Sequence, residues 1–413
     1  MKKSCKRAAK NVVANTQDHM TFLSENLRDW RRVDPNVMLE DIKLKRSGQI
    51  APPGRWIFRE GISPLDLYAY LKARFGNPNG FQMALKSPSS DNLVHWHWSL
   101  QCHDHIIEFM EYGLHAAAYV NGLPQPTEIE QAELVAAIKA DFAAHGRAMS
   151  VVKKSLEKWV LFVNPYHRLR RVVDQFSSRL RALELKATTL PEVPTTHEEA
   201  QELIDGLKAC EPVYTEARGL GLALRMNAPV LAECFINLLL FLLAKPEIKQ
   251  NERLYQDIIR TQIHERIRDL HLNCEGFTSP IDVSAKSFKD FHTLMNRRND
   301  FLHGNVDPYR LKYDAVRFDG TIPLPDRYQN FPQLALINSL IGVEPESALG
   351  DVDIVNQFIE FVLKHLHNSA KQVVETFMDT SNPGWREDTK RPGILFPQHI
   401  AYMVLHSVQP STE

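Results

Sequence analysis

The sequence predicts a mainly α-helical protein with a smaller α+β domain at its N-terminal end. From Thr127 onwards most segments carry apolar residues at intervals of three and four, the spacing that places them on one face of a helix. Between Val37 and Gly122, short apolar stretches instead alternate with turns rich in Gly, Pro and Ser, which is typical of strands. At 413 residues the chain is long enough for two or three domains.

Residues 1–125 are predicted to form the N-terminal α+β domain. Strands are predicted at 55–59, 80–86 and 92–101, and a helix from Pro64 to Phe75. In the last of these strands Trp96 and Trp98 should face the core, because alternate residues of a strand point to opposite faces.

The same strand and the turn after it are rich in histidine. The outer face is expected to carry the histidines, and the candidate metal ligands are His95, His97, His103 and His105. Two imidazoles at positions i and i+2 of a strand can share a metal ion. An exposed strand face with histidines and no metal is the commoner arrangement, so both interpretations stay open.

Residues 126–220 are predicted to form a helical connecting region. Its helices should cover 132–142 and 148–185, divided at Pro165, and 197–218, with a linker at 187–196 between the last two. One basic run could follow an RNA backbone or could simply be a solvated helix face. Its arginines are Arg168, Arg170 and Arg171.

Residues 221–413 are predicted to form a helical domain. Its helices should cover about 228–244, 250–273, 285–303 and 351–378, with an irregular stretch at 304–349. The first helix is apolar on nearly every face and starts close to Pro229, but it contains Glu233 and Asn237. Since a buried carboxylate needs a compensating partner, Arg298 is the expected one.

Composition predicts a soluble cytoplasmic protein with no membrane span. The formal net charge is −1, so an RNA-binding surface must be local rather than global. Five cysteines without a Cys-x-x-Cys pair indicate reduced thiols. The basic N-terminus is followed by no apolar run, and the apolar segment 228–244 is too short to cross a bilayer comfortably.

The helix predicted at 285–303 carries two neighbouring stripes. One is apolar apart from an arginine and consists of Phe288, Phe291, Met295, Arg298 and Leu302. The other is polar without charge and consists of His292, Asn296, Asn299 and His303. A solvated face normally carries Lys and Glu, so this helix is expected to meet a polar partner inside the protein or to line a cleft.

Arg298 and His303 are the residue types that metal-independent cleavage of RNA requires. A guanidinium binds phosphate with two hydrogen bonds, and an imidazole can transfer protons near neutral pH. Gly304 is suited to the left-handed position after a helix, which places His303 in the last turn. A structural Arg paired with a carboxylate, beside a C-capping His, is the other interpretation of the same pattern.

The sequence Arg298-Asn299-x-x-x-His303 in an all-helical region resembles the ribonuclease motif of the HEPN superfamily. Arg297 fits a looser spacing but lies off the stripe. The resemblance covers at most residues 221–378. It implies a helical bundle, a homodimer that brings two motifs together, and metal-independent RNA cleavage in defence or toxin systems.

On this basis we predict an endoribonuclease with Arg298, Asn299 and His303 as catalytic residues and Glu233, Asn237, His292 and Asn296 in support. Arg260 and His264 join the basic run as RNA-binding candidates. No cofactor is expected, since no Gly-rich phosphate loop or Rossmann fingerprint is present, and no metal is expected at the ribonuclease site. The predicted partners are RNA, a second copy of the chain, and a regulatory protein or phage-derived trigger sensed by the N-terminal domain. The alternative is a non-catalytic HEPN-like protein that binds a nucleotide or a partner.

Overall fold

The computed structural model describes residues 22–34, 37–38, 43, 53–87, 92–112, 115–185, 195–304, 308–309, 315–325 and 345–396. About 59% of the structure is helical, with 13 helices among the described residues, which confirms a mainly α protein. The chain divides into two compact units. Unit 1 comprises residues 1–158 and 395–413, and unit 2 comprises residues 159–394. The predicted connecting region 126–220 is therefore shared between them.

Unit 1 contains an antiparallel sheet and helices that pack on it. The sheet has the order β1-β3-β4-β5-β2. Its strands are β1 (Arg31–Arg32), β2 (Gly54–Phe58), β3 (Trp96–Cys102), β4 (His105–Glu111) and β5 (Ala116–Val120). The helices are α1 (Phe22–Glu25), a 3-10 turn (Leu27–Asp29), α2 (Pro64–Phe75), α3 (Gln82–Leu85) and α4 (Glu128–Lys154).

Helix α2 lies where the sequence predicts it because both of its ends are specified locally. The Ser63 side chain accepts a hydrogen bond from the Asp66 amide, and Pro64 takes the first helical position. Gly76 ends the helix with φ of +79°, a conformation that favours glycine. The prediction of a strand at 80–86 is wrong, since this segment forms the short helix α3.

The sheet is buried on both faces in β3. Trp96 and Trp98 are in the core as predicted, with ring centroids 5.3 Å apart. His97 and Ser99 on the other face are also buried, so the prediction of an exposed histidine face is wrong. The imidazole of His97 packs against Gly80, where a Cβ atom would lie only 2.2 Å from the ring. The loop before α3 therefore covers this face.

Unit 2 is a helical bundle with two small β structures. Its helices are α5 (Pro165–Ala182), α6 (His197–Leu243), α7 (Pro246–Gln250), α8 (Glu252–Arg260), α9 (Ile263–Arg268), α10 (Leu270–Asn273), α11 (Lys286–His303), α12 (Pro345–Leu363) and α13 (Asn368–Met378). Strands β6 (Val160–Leu161), β9 (Gly384–Arg386) and β10 (Arg391–Gly393) form one sheet in the order β10-β9-β6. Strands β7 (Val316–Asp319) and β8 (Ile322–Pro325) form a hairpin inside the stretch predicted as irregular.

Helix α6 runs without a break from His197 to Leu243, through the predicted boundary at residue 220. Pro229 lies inside it, so the prediction that this proline starts a helix is wrong. The segment 228–244 is nevertheless a buried core helix, as predicted, because most of its Leu, Ile and Phe residues are in the bundle core. By length and composition alone, helix α6 is long and apolar enough to cross a membrane. However, 56% of its most apolar 18-residue stretch is buried inside the protein.

The C-terminal helix predicted at 351–378 is two helices. Helix α12 ends at Leu363, and α13 begins at Asn368 after a turn whose His367 amide donates to the Gly276 carbonyl. Most of the predicted linker at 187–196, and much of 304–349, lie outside the described residues.

Candidate functional site

Helix α11 packs into the bundle through its first three turns. Phe288, Phe291 and Met295 are buried as the stripe predicts, and Leu294 is buried beside them. The ring of Phe291 stacks on Phe358 of α12 at 4.1 Å. Leu302, the last residue of the predicted apolar stripe, is instead exposed, so the apolar face ends before the motif.

The motif residues occupy the last two turns of α11. Arg298 is half-buried, and its Nη1 donates to the Asn299 side-chain oxygen at 2.9 Å. The Nε of Arg298 is buried and has no hydrogen-bond partner within the described part of the chain. His303 is exposed, and Gly304 follows with φ of +59°, which places the imidazole in the last helical turn as predicted.

Glu233 and Asn237 are compensated by Arg266, not by Arg298 as predicted. Nη1 of Arg266 donates to Asn237 Oδ1 at 2.6 Å, and Nη2 donates to Glu233 Oε1 at 3.3 Å. The guanidinium also donates to the Thr261 carbonyl, so it is held on three sides. The pairing leaves Arg298 without a carboxylate from α6, because α9 supplies the arginine.

His292, a further predicted residue of α11, contacts a histidine from another helix. The His292 ring lies 6.2 Å from the His264 ring of α9, edge to face. The Asn296 side-chain nitrogen lies 3.4 Å from His292 Nδ1. The structure therefore brings together His264, which was predicted to bind RNA, and His292 and Asn296, which were predicted to support the catalytic residues.

A buried ion cluster lies directly beside the motif and was not predicted. Asp351 of α12 is 4% exposed and lies 3.4 Å from Nη1 of Arg225, which is equally buried. Its other oxygen lies 3.3 Å from Nη1 of Arg297. Arg225 also donates to the Ser347 hydroxyl. One signal in the sequence points to this cluster, since Asp351 interrupts an apolar face that includes Ala348, Val352 and Val355.

Of the four arginines predicted to bind RNA, one makes contacts inside the bundle and three are exposed. Arg170 donates to Asp174 at 3.0 Å and to Asn356 at 2.5 Å, so it ties α5 to α12. Arg168 and Arg171 of the same helix, and Arg260 at the end of α8, are exposed. Arg170 is therefore engaged in bundle contacts, whereas the other three present their side chains at the surface of unit 2.

The histidines of unit 1 have separate partners. His95 Nδ1 lies 2.8 Å from Glu111, and His105 Nδ1 lies 3.0 Å from the Asn121 carbonyl. His97 Nδ1 accepts from the Gln82 amide, and His103 lies 3.5 Å from Asp29. Among the described residues, no group of three or more His, Cys, Asp or Glu side chains could hold a metal ion.

The four described cysteines are free thiols. Two of them are Cys234, which follows Glu233 in α6, and Cys274, which follows α10. Burial, with a further contribution from Glu233, raises the pKa of Cys234 to about 11. Burial raises the pKa of Cys274 to about 12. Both thiols therefore stay protonated near neutral pH and behave as small apolar residues.

Comparison of the sequence with protein-family models found no match, and comparisons with curated proteins and with solved structures found none either.

Proposed function

We propose that this protein is a metal-independent endoribonuclease of the HEPN type, with Arg298, Asn299 and His303 as its catalytic residues. The observation that carries the proposal is the arrangement of these residues on the last two turns of α11. There the imidazole is exposed, and the half-buried guanidinium donates to its neighbour Asn299. Arg297 is paired with Asp351, whereas the guanidinium of Arg298 has no carboxylate partner among the described residues and is suited to an anionic ligand.

In the proposed reaction the ribose 2′-oxygen attacks the adjacent phosphorus. The new O2′–P bond forms as the P–O5′ bond breaks, which leaves a 2′,3′-cyclic phosphate and a 5′-hydroxyl. One imidazole takes the proton of the 2′-hydroxyl, and a second gives a proton to the leaving 5′-oxygen. Arg298 stabilises charge on the phosphoryl oxygens, and Asn299 positions Arg298 through their hydrogen bond.

The second imidazole is proposed to come from another copy of the chain. His292 lies eleven residues before His303, or about 16 Å along the helix at about 1.5 Å per residue, too far to serve the same phosphate. Within the described residues, no histidine or aromatic ring is in contact with His303. A homodimer with two-fold symmetry across α11 would supply the missing group.

The proposed biological role is defence against phage or growth arrest in the cytoplasm. The N-terminal region would sense a trigger or restrain the nuclease. This part of the proposal rests on the family resemblance alone, which is an analogy between motifs rather than a property of the site.

The decisive experiment is incubation of the purified full-length protein with total RNA in EDTA, followed by analysis of the new ends. We expect 2′,3′-cyclic phosphate and 5′-hydroxyl ends from the wild type and no cleavage by His303→Ala. The exposed His367 at the start of α13 provides a matched control, so His367→Ala should cleave like the wild type. Cleavage by His303→Ala at the wild-type rate would overturn the assignment.

The shared site is tested by mixing the wild type with an inactive variant. An excess of the His303→Ala chain should suppress cleavage by the wild-type chain, because a mixed dimer keeps only one of the two imidazoles that the reaction needs. A monomer at working concentration that still cleaves would contradict the dimeric mechanism. A stable fold and dimer without cleavage of any RNA would instead favour the alternative of a non-catalytic HEPN-like binding protein.

A further inference from the structure

Two exposed imidazoles from different helices lie side by side on unit 2. The ring centroids of His264 and His292 are 6.2 Å apart. The His264 side chain is 43% exposed, and His292 is exposed on α11. Nothing in the packing of the bundle requires this pair, because the apolar face of α11 points into the core through other residues, Phe291 and Met295 among them.

The surroundings hold both rings in place. His292 stacks on Phe288 at 6.5 Å with nearly parallel rings, and Asn296 lies 3.4 Å from its Nδ1. Nε2 of His264 lies 3.9 Å from Glu265 of the same helix. Glu233, the acidic residue on the adjoining turn of α6, is paired with Arg266.

We propose that His264, His292 and Asn296 form a phosphate-binding subsite for the RNA strand, distinct from the place of cleavage. This inference rests on the proposed function, because it takes RNA as the ligand. Protonated imidazoles and an amide are hydrogen-bond donors to phosphate oxygens. Lys289, one turn before His292, adds a positive charge that favours a phosphate over a metal cation.

The distance of His264 and His292 from the motif determines how long an RNA strand must be to contact both. His292, Asn296, Asn299 and His303 lie along one stripe of α11, so the subsite and the motif are joined by a continuous polar surface. The separation of about 16 Å corresponds to about five nucleotides at a rise of about 3.4 Å each, and to fewer in an extended strand. A dinucleotide should therefore reach the motif without reaching the subsite.

The test uses the full-length protein, an eight-nucleotide DNA strand that cannot be cleaved, and an RNA strand of the same sequence. His264→Gln and His292→Gln should each weaken DNA binding about tenfold, the loss expected for one charge-assisted hydrogen bond. With RNA the variants should raise KM more than they lower kcat, and the effect should be larger for the eight-nucleotide strand than for a dinucleotide.

His271→Gln is the matched control, because it removes an imidazole of α10 that lies outside the proposed subsite and whose Nδ1 lies 3.1 Å from the Arg268 carbonyl. Inorganic phosphate should compete with the DNA in the wild type and less in the two variants. Wild-type DNA affinity in both variants would overturn the subsite, as would a loss of kcat with an unchanged KM. Stoichiometric zinc binding that both variants abolish, without DNA binding, would also overturn it.

The same measurements separate this inference from the proposed function. If DNA binding depends on His264 and His292 in a protein that never cleaves RNA, the ribonuclease proposal is wrong and the phosphate-binding site stands. If RNA cleavage depends on His303 but not on His264 and His292, the ribonuclease proposal stands and the subsite is wrong.

Discussion

Asp351 pairs with two guanidinium groups through a single carboxylate, and its position makes it the residue on which the end of α11 depends. It lies in α12, Arg225 in α6 and Arg297 in α11, so one side chain joins three helices immediately before Arg298.

The partner of Glu233 shows why such ionic contacts cannot be predicted from the sequence. The sequence contains several arginines that could pair with Glu233, and the packing of α9 against α6 is what brings Arg266 to it. The spacing of residues can therefore predict which helix face they share, whereas their ionic partners cannot be predicted from it.

Removing the charge of Asp351 should destabilise unit 2 strongly. Asp351→Asn removes the carboxylate charge that lies 3.4 Å from the buried guanidinium of Arg225, an effect of about 3–5 kcal/mol when a buried pair is broken. Urea denaturation gives the free energy of unfolding of both proteins. Glu375→Gln, which breaks the exposed Lys371–Glu375 pair, is the control and should change that free energy by less than about 1 kcal/mol. Equal effects of the two substitutions would show that the Asp351 cluster contributes no more than a surface pair.

His115 should make unit 1 sensitive to acid. Its Nε2 accepts from Arg55 Nη2 at 2.8 Å, because a guanidinium can only donate. Burial, followed by Arg55 and Arg59, lowers the pKa of His115 below its ordinary value. The unfolded chain therefore binds the proton at higher pH than the folded protein does, and the stability present above about pH 6.5 is lost as the pH falls towards the folded pKa.

The measurement is the free energy of unfolding between pH 8 and pH 5 for the wild type and His115→Gln. Glutamine can still accept from Arg55 but does not titrate, so its curve should fall less steeply below about pH 6.5. Parallel curves for the two proteins would rule out His115 as a source of the acid sensitivity.

At the scale of the element, the helices whose two ends are both specified locally were predicted closely. Helix α2 has Ser63 and Gly76 at its ends, and α11 ends before Gly304, so their bounds follow from the sequence. Helix α6 contains Pro212 and Pro229 yet continues through both, and at Pro229 its packing against α5 and α12 outweighs the local cost. Tertiary packing also converts residues 82–85 from a predicted strand into a helix that covers His97.

The two ends of α11 should respond differently to truncation of a large apolar side chain. Phe291→Ala removes a ring that is 1% exposed and stacked on Phe358, so we expect a loss of about 3–5 kcal/mol in the free energy of unfolding. Leu302→Ala truncates a side chain that is 47% exposed and should change it by less than about 1 kcal/mol. Thermal or urea unfolding of the two variants checks the contrast, and a large effect at Leu302 would mean that a partner surface covers this turn.

At the scale of the whole molecule, two separate hydrophobic cores mark two folding units. One core lies on the sheet of unit 1, and the other is built by α5, α6, α9, α11, α12 and α13 in unit 2. Tyr166, Val173 and Leu180 of α5 belong to the second core, although the sequence assigned them to a connecting region. Local periodicity identified α5 as a helix, but only the packing shows which core its apolar face completes.

A fragment of residues 159–394 should therefore fold by itself, with a cooperative thermal transition followed by circular dichroism. A fragment of residues 221–413 begins inside α6 and lacks α5, so we expect it to aggregate or to melt without cooperativity. If the shorter fragment unfolds as cooperatively as the longer one, α5 is dispensable and the core has been assigned too widely.

The length of α6 has a thermodynamic consequence for its first half. At about 1.5 Å per residue the 47 residues span about 70 Å. The first described side chain to be buried is Ala217, and the Arg179–Glu216 pair lies just before it. The turns between His197 and Glu216 contain Gly206 and Pro212 and have little tertiary packing to offset their cost, so an isolated helix of this sequence would be only marginally stable in water.

The exposed turns continue a helix that is already formed in the buried half, and they can unwind from the N-terminal end while the core stays folded. A protease or a binding partner can therefore act on this stretch at a small fraction of the free energy that unfolding unit 2 would require.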